Sequence, residues 1–292
     1  MHGFCSPCDS FEIKLPFSVK SAEILSRAVF FDAQYEGKTV FCGIIDEYET
    51  QLSRGGAVIF VRGRGMQARL LDNEAESAQH YKLGFDTLLD TYVRPFGIDR
   101  IDAGSAEGIK GAMTVDSGAS CWSVLNSFCR FHAGTSPRFA PDGTLLADGE
   151  KGGKIFAIDD KTPFSEMSFC EDRYGVISSV IVKNKARGTK TQTENPKFTE
   201  KGLCCRRVVN VPRATGYDAM RHTGNYQIEQ SGKQLYTVKV TVPMAFAAFP
   251  GDIAEIKHLV SGISGSYMVH ESRCTLDAEG IQTNLVMHCT EK

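Results

Sequence analysis

The segment Gly55–Ala78, GGAVIFVRGRGMQARLLDNEAESA, decides how the rest of the chain is interpreted. Its apolar run 57–61, AVIFV, has the length of a strand. The tripeptide GRG at 63–65 follows. From Met66 onward the apolar residues recur at helical spacing, which predicts a helix as far as Ala78. Such a segment either holds a phosphate at the helix N-terminus or marks the place where a β-domain gives way to a helical one.

The phosphate interpretation rests on Gly63-x-Gly65-x-x-Ala68, which fits the dinucleotide-binding fingerprint. Glycines in that motif let backbone N–H groups approach a pyrophosphate. An acidic residue about 20 positions further on, Asp86, is present, but it lies in 85–92, FDTLLDTY, whose spacing is helical and not that of a second parallel strand. A nucleotide-binding enzyme that uses this turn is therefore the alternative hypothesis, and an exit from a β-domain is the favoured one.

The composition is that of an ordinary globular protein. The chain has 292 residues, 42% apolar and 23% charged, with a net charge of -2. This balance gives no reason to expect binding to nucleic acid or to an anionic membrane. No apolar run approaches the roughly 18 residues of a transmembrane helix, and the N-terminus lacks a secretory signal pattern. We expect a protein that is made and folded in the cytosol without membrane insertion.

Most of the ten cysteines lie in apolar stretches, which predicts buried thiols in a reducing compartment. Cys5-x-x-Cys8 is the only CxxC motif. A structural zinc site would need two further ligands at matching spacing, and the sequence offers no second CxxC. We predict no metal ligands, and keep a metal-dependent module at Cys5 and Cys8 as a further alternative.

The N-terminal block, 9–60, predicts an antiparallel meander. A hairpin is indicated over 31–48, with its turn at 36–38, and 52–56 is a second turn. Successive strands joined by tight turns are typical of antiparallel sheets and not of βαβ units.

The middle of the chain, 66–135, is predicted to be helical with interruptions. Its best amphipathic helix is 120–132, SCWSVLNSFCRFH, with Ser117 or Ser120 as the N-cap. Two short strands are expected over 136–148 about a Pro-Asp-Gly turn.

The C-terminal part changes charge along its length. Residues 142–172 hold eight Asp or Glu against three Lys, and residues 183–207 hold eight Lys or Arg against two Glu. We predict that 183–207 is an exposed loop or hairpin arm, whose basic residues contact either nucleic acid or an acidic surface on a neighbouring subunit. Residues 214–232 favour a helix, and 235–292 are again β.

No arrangement typical of catalysis is present in the sequence. It contains no G-x-S-x-G, no HExxH and no P-loop motif. The segment around Cys121 is superficially similar to that of a cysteine-protease nucleophile, but the spacing differs. His132, His222, His258 and His270 are isolated. We therefore predict no catalytic, no cofactor-binding and no metal-binding residue.

Three segments, in order, resemble phage tail baseplate hub proteins of the late control D type. They are 60–76, FVRGRGMQARLLDNEAE; 117–148, SGASCWSVLNSFCRFHAGTSPRFAPDGTLLAD; and 249–287, FPGDIAEIKHLVSGISGSYMVHESRCTLDAEGIQTNLVM. These hubs belong to contractile tails and phage-like bacteriocins. They are also related to the N-terminal part of type VI secretion spike proteins.

The resemblance implies a β-rich α+β fold with two β-barrel-like domains and a helical insertion, assembling as a trimeric ring. The first barrel would cover 1–76, the insertion 77–159, and the second barrel 160–292. It further implies a non-enzymatic hub without cofactors that adapts a sixfold tail tube to a threefold central spike. The implied partners are two further copies, the spike and a tube or tube-initiator protein, with tape measure and baseplate wedge proteins beyond them.

Overall fold

The computed structural model describes residues 1–3, 8–148, 153–211, 217–233, 235–257 and 262–290. These residues form two units, each built from separate pieces of the chain. The first unit comprises Met1–Lys154, Met244–Asp252 and His270–Thr283. The second comprises Ile155–Pro243, Ile253–Val269 and Asn284–Lys292.

The first part of the chain is antiparallel as predicted, with one short helix, but only its last three strands form a meander, because the strand at 10–16 pairs with 56–65 and not with 30–35. Its elements are β1 (His2–Gly3), β2 (Ser10–Pro16), α1 (Val19–Leu25), β3 (Phe30–Tyr35), β4 (Lys38–Ser53) and β5 (Gly56–Gly65). Strands β2 to β5 form a four-stranded sheet in the order β2-β5-β4-β3. The predicted hairpin turn is confirmed, with Glu36 and Gly37 both at positive φ, as a tight two-residue turn requires.

The glycines of the decisive segment lie inside strand β5, where the sheet packs tightly. A Cβ atom on Gly63 would lie 2.0 Å from the carbonyl oxygen of Ile44 and 2.5 Å from the ring of Phe11. The register between β4 and β5 also shifts between Ile45 and Glu47. Glycine is therefore needed because backbone and an aromatic ring approach it closely.

The long helix predicted from Met66 to Ala78 is wrong. Helix α2 covers only Ala68–Leu71. Beyond it the backbone is extended, because Glu74 forms a β-bridge with Ser120 and the Ala75 N–H donates to the carbonyl of Ala119 at 2.8 Å. Met66, Leu70 and Ala75 are buried, as their spacing predicts, but they lie in a largely irregular segment and not along one continuous helix.

The rest of the middle segment mixes short strands and helices, so the helical prediction for 66–135 is only partly right. The elements are β6 (Ala78–Gly84), α3 (Phe85–Tyr92), β7 (Ile101–Asp102), β8 (Lys110–Val115), α4 (Cys121–Phe128), β9 (Arg138–Phe139) and β10 (Leu145–Leu146). Short 3-10 turns lie at Arg94–Phe96 and Gly104–Ala106, and a π turn, Cys129–Ala133, extends α4. Strand β6 pairs with β8, and β7, β10 and β9 form a three-stranded sheet.

The main core of the first unit lies between helices α3 and α4. Phe85, Leu88 and Leu89 from α3 meet Leu125 and Phe128 from α4, all at most 2% exposed. Helix α3 has the predicted bounds. Ser120 caps α4 by accepting a hydrogen bond from the Ser123 N–H at 3.2 Å, as one of the two predicted caps.

The second part of the chain is dominated by strands. Its elements are β11 (Ile155–Asp159), β12 (Glu166–Glu171), β13 (Ser179–Asn184), β14 (Thr189–Glu194), α5 (Pro196–Thr199), β15 (Arg206–Asn210), α6 (Tyr217–Gly232), β16 (Tyr236–Val242), β17 (Ile253–Lys257), β18 (Ser264–Asp277) and β19 (Gly280–Cys289). Strands β11-β17-β18-β19-β16-β12 follow one another in a seven-stranded sheet, in which β1 also pairs with β18. The predicted C-terminal hairpin is β18 and β19.

The basic segment 183–207 is a hairpin within a small folded layer, and not a free loop. Strands β14-β13-β15 form a three-stranded sheet, antiparallel between β13 and β14 and parallel between β13 and β15. Helix α6 packs on β13 and β14. Val180, Val182 and Met220 are buried in the core between them.

The fold is thus β-rich α+β, as predicted. Among the residues that the structure describes, no helix has the length and apolar character needed to cross a bilayer.

Candidate functional site

The glycine segment does not have the geometry of a phosphate cradle. Gly63 and Gly65 belong to an antiparallel strand. A Cβ atom on Gly65 would lie 2.4 Å from Oε1 of Gln67, so the space beside this glycine is filled by the protein itself. Helix α2 has four residues, too few for a helix dipole to develop. The structure gives these glycines a packing role.

Arg64, between the two glycines, is held by two carboxylates of its own unit. Its guanidinium donates to Asp46 at 2.7 and 2.9 Å and to Asp72 at 2.9 and 2.7 Å. Hydrogen bonds to Asp46 and then to Asp72 raise the Arg64 pKa, and the bond from Arg64 lowers the pKa of Asp72. The donors of Arg64 are therefore engaged within the fold.

Arg62, two residues earlier on the same strand, is similarly engaged. It donates to Glu12 at 2.6 Å, to Glu47 at 3.1 Å and to Glu49 at 3.4 Å. Glu12 lies on β2, and Glu47 and Glu49 lie on β4, so these ion pairs connect three neighbouring strands. Both arginines of this sheet thus stabilise the sheet that carries them.

The proposed metal ligands are not brought together among the described residues. Cys5 lies outside these residues. The Cys8 thiol donates to the carbonyl of Gly65 at 3.5 Å and to Gln67 at 3.8 Å, and burial raises its pKa to about 12. In the described ranges no three His, Cys, Asp or Glu side chains form a metal-binding group.

The cysteine and histidine residues considered above as nucleophiles or bases lie at different places in the fold. Cys121 is buried in helix α4, and this burial raises its pKa. His132 lies against Gly111, with Nε2 3.2 Å from the carbonyl of Ala112. His222 and His270 lie far apart in the sequence in different units, and His258 is outside the described residues.

A buried polar cluster near the N-terminus was not predicted. His2 and Asp9 are 8% and 7% exposed, and His2 Nδ1 lies 2.8 Å from Asp9 Oδ2. His2 Nε2 donates to the carbonyl of Val40 at 2.8 Å, because a carbonyl oxygen can only accept. The Gly3 N–H adds a bond to Asp9. Val40 is 38 positions from His2, so no local pattern could have indicated this cluster.

In the first unit, large apolar side chains are exposed around α1 and the start of β3. Helix α1 buries none of its residues. Val19 and Ile24 on this helix are 67% and 59% exposed, and Val29 and Phe30 are 56% and 57% exposed. A groove of about 400 Å³ lies beside them, between the end of α1 and strand β4. Exposed large apolar side chains at neighbouring positions mark a candidate protein interaction site.

In the second unit, strands at the ends of both sheets carry exposed apolar residues. Strand β12 is the last in its strand order, and Phe169 on it is 47% exposed. Strand β15 is an end strand of the three-stranded sheet, and Val208 on it is 52% exposed. Edge strands present unpaired backbone groups that can pair with another chain. The geometry therefore offers candidate assembly surfaces in both units.

Similar structures exist for almost the whole chain, although the sequence matches no protein-family model and no curated protein. The tail protein from Neisseria meningitidis MC58 superposes with a TM-score of 0.80 at 19% identity, over 99% of this chain and 90% of that chain. The 43 kDa tail protein of prophage MuSo2 from Shewanella oneidensis superposes with a TM-score of 0.77 at 12% identity, over 98% and 92% of the two chains. The chain has the fold of phage tail proteins.

A third similar structure comes from a secretion machine. The E. coli c3393 protein, described as a type VI secretion system component with structural similarity to the T4 bacteriophage tail proteins gp27 and gp5, has a TM-score of 0.52 at 11% identity. The superposition covers 99% of this chain and 75% of that chain. At these identities the likeness concerns the fold, and the tail-protein fold accommodates the whole described chain.

Proposed function

We propose that this protein is the baseplate hub of a contractile phage tail or of a related injection machine. In this role three copies form a ring that adapts the sixfold tail tube to the threefold central spike. The observation that carries the proposal is the likeness to tail proteins over 98–99% of the chain, together with the three ordered hub-like segments in its sequence.

The ring-forming parts in this proposal are the two large β-sheets. The four-stranded sheet β2-β5-β4-β3 lies in the predicted first barrel, 1–76. Most of the seven-stranded sheet lies in the predicted second barrel, 160–292. The short strands and helices of 77–159 then form the insertion. Exposed apolar residues on both sheets support contacts with neighbouring subunits.

The proposed partners are two further copies, the central spike and a tube or tube-initiator protein, with tape measure and wedge proteins beyond them. The site of action is the baseplate of the particle, after assembly in the bacterial cytoplasm. A structural role is supported by the surroundings of the candidate catalytic residues. Burial raises the pKa of the Cys8 and Cys121 thiols, and the glycines of 63–65 are packed against protein atoms.

The experiment is a mass measurement of the purified chain, alone and mixed with its spike protein. The proposal predicts a trimer, and a complex that contains one spike trimer for each trimer of this chain. A species that remains monomeric at all concentrations and with the spike would contradict it. Titration with NAD(P) or FAD is the control for the alternative function, and a thermal shift saturating with the dinucleotide would favour the enzyme instead.

A further inference from the structure

The outer edge of strand β12 is acidic and apolar. β12 pairs with β16 in antiparallel register, and the Asp172 N–H donates to the carbonyl of Leu235 at 2.8 Å. Because hydrogen-bonding direction alternates along an antiparallel strand, the backbone groups of Met167, Phe169 and Glu171 point away from β16. Three backbone positions are thus open for pairing, and two of them carry exposed side chains, the apolar Phe169 and the acidic Glu171.

The outer edge of strand β15 is basic and apolar. The Val211 N–H donates to the carbonyl of Lys183 at 2.9 Å, and the carbonyl of Cys205 accepts from the Ser179 N–H at 3.2 Å. By the same alternation, the backbone groups of Arg206, Val208 and Asn210 point away from β13. This edge has three open backbone positions, as the β12 edge has, and it carries the opposite charge.

The cations on β15 are available to a partner. Arg206 and Arg207 are both exposed, and neither makes an ion pair within the described part of the chain. A cleft of about 490 Å³ lies beside β15 and the last turns of α6 and leaves this strand accessible. The carboxylate of Glu171 already accepts from Arg173 at 2.9 Å, but an exposed neighbouring pair of this kind contributes little and can be shared.

We propose that strand β12 of one copy pairs with strand β15 of a second copy, in antiparallel orientation. The register that aligns the open backbone groups places Phe169 opposite Val208 and Glu171 opposite Arg206. Residues opposite each other in such a pair have Cβ atoms about 5 Å apart, so one apolar contact and one ion pair form on the same face. The occupant of each edge is therefore a second copy of this chain.

This contact joins two different surfaces, so it is heterologous and extends from copy to copy. A heterologous contact gives a closed ring when the rotation between copies permits closure. The inference rests on the proposed trimeric hub and specifies one contact within it. Without this contact, the β12 and β15 edges of each copy would stay exposed to uncontrolled association.

The first test uses charge reversal and restoration, with oligomeric mass measured against concentration. Glu171→Arg places two cations opposite each other, and Arg206→Glu places two anions opposite each other. Either change is expected to raise the concentration for half-assembly by about ten-fold, because each ring contains the contact several times. The double variant E171R/R206E is expected to return to within about two-fold of wild type. Lys190→Glu on β14, an exposed reversal on the same small sheet, is the matched control and should assemble normally.

The second test breaks backbone pairing without using charge. Val208→Pro removes an N–H group that points outward, and proline is tolerated on an edge strand at such a position. The variant is expected to keep the wild-type unfolding transition of the subunit and to lose assembly by at least ten-fold. Val209→Pro, which removes an inward N–H group, should instead destabilise the subunit.

The outcomes separate this contact from the proposed function. Wild-type trimers that neither charge reversal nor V208P weakens would overturn the β12–β15 contact and leave the hub proposal standing. Weakened single variants that the double variant does not restore would also overturn the pairing. Loss of spike or tube binding by R206E with normal self-assembly would assign the edge to another component. A wild-type chain that never associates would contradict both proposals.

Discussion

The arginines of strand β5 and those of strand β15 are surrounded very differently. Arg64 is bound by Asp46 and Asp72, with four contacts between 2.7 and 2.9 Å. Arg206 and Arg207 lie on an end strand and make no ion pair within the described chain. Both strands contain two arginines, so the count of charges does not distinguish them.

The difference separates charges that are bound within the subunit from charges that remain exposed on an end strand. On β5 the carboxylates belong to the same unit, on neighbouring strands or, for Asp72, at the end of helix α2, so a substitution there alters the subunit itself. On β15 the acidic counterpart proposed above is on another copy. Substitutions of the arginines on β5 should therefore change the stability of the subunit, and those of Arg206 on β15 should mainly change association.

The largest expected effect comes from the glycine that allows β5 to pack beside Arg64. Gly63→Ala would place a Cβ atom 2.0 Å from the Ile44 carbonyl oxygen, which forces the strands apart. We expect a loss of about 3 kcal/mol in the free energy of unfolding, measured by denaturant titration. Gly55→Ala is the control, because its added Cβ would meet only the Ser53 hydroxyl, at 3.7 Å. Equal stability of the two variants would contradict the packing role of Gly63.

The next effect concerns the ion pairs of Arg64. Arg64→Ala leaves Asp46 and Asp72 without their partner, and we expect a loss of about 1 kcal/mol at neutral pH. Arg94→Ala, which removes a single exposed pair with Asp90 on the surface, should cost only a few tenths of a kcal/mol. Thermal unfolding of both variants measures the difference.

The pH dependence of this loss has a defined sign. The bond from Arg64 lowers the folded-state pKa of Asp72 below its ordinary 3.8. The stabilisation is therefore fully present above that ordinary value and is lost as the pH falls through the lowered folded pKa. R64A and wild type should converge in stability in acid, and a difference that stayed constant down to pH ~2 would contradict this account.

A smaller effect is expected for the same truncation on β15. Arg206→Ala should change the free energy of unfolding of the subunit by less than about 0.5 kcal/mol, because the side chain is exposed and unpaired in the described chain. Its effect should appear in the mass distribution of the assembly. A destabilisation as large as that of R64A would remove the distinction between the two strands.

The cysteines beside the two strands should differ in reactivity, with Cys8 near β5 less reactive than Cys204 near β15. Burial raises the pKa of Cys8, beside Gly65, to about 12, whereas Cys204 is exposed just before β15. In the folded subunit at neutral pH, iodoacetamide should label Cys204 and leave Cys8 almost unmodified, because the thiolate is the reactive form. Peptide mass spectrometry after brief labelling measures this, and comparable labelling of both would show that Cys8 is accessible.

The sequence predicted the elements that local patterns determine. The bounds of α3, the hairpin turn at 36–38, and Ser120 as a cap of α4 were all available from spacing and residue type. The helix at 66–78 failed because the partner that extends Glu74 is Ser120, 46 positions away. An apolar spacing near 3.6 shows which residues are buried and does not establish that the backbone is helical.

The candidate surfaces were predictable only in part. The charge of 183–207 indicated exposure and a partner of opposite charge. The parallel pairing of β15 with β13, by contrast, depends on contacts between distant residues. The His2–Asp9–Val40 cluster was missed for the same reason. Nothing local in the chain specifies which strand ends a sheet, so the edges became visible only in three dimensions.

The most direct test of the central claim is the native mass of the assembly formed by this 32.0 kDa chain, measured across concentration and with the spike protein. We expect a species of three copies that binds one spike trimer, and we expect E171R and R206E to weaken it separately and to restore it together. A chain that stays at 32.0 kDa throughout, with or without the spike, would contradict the account.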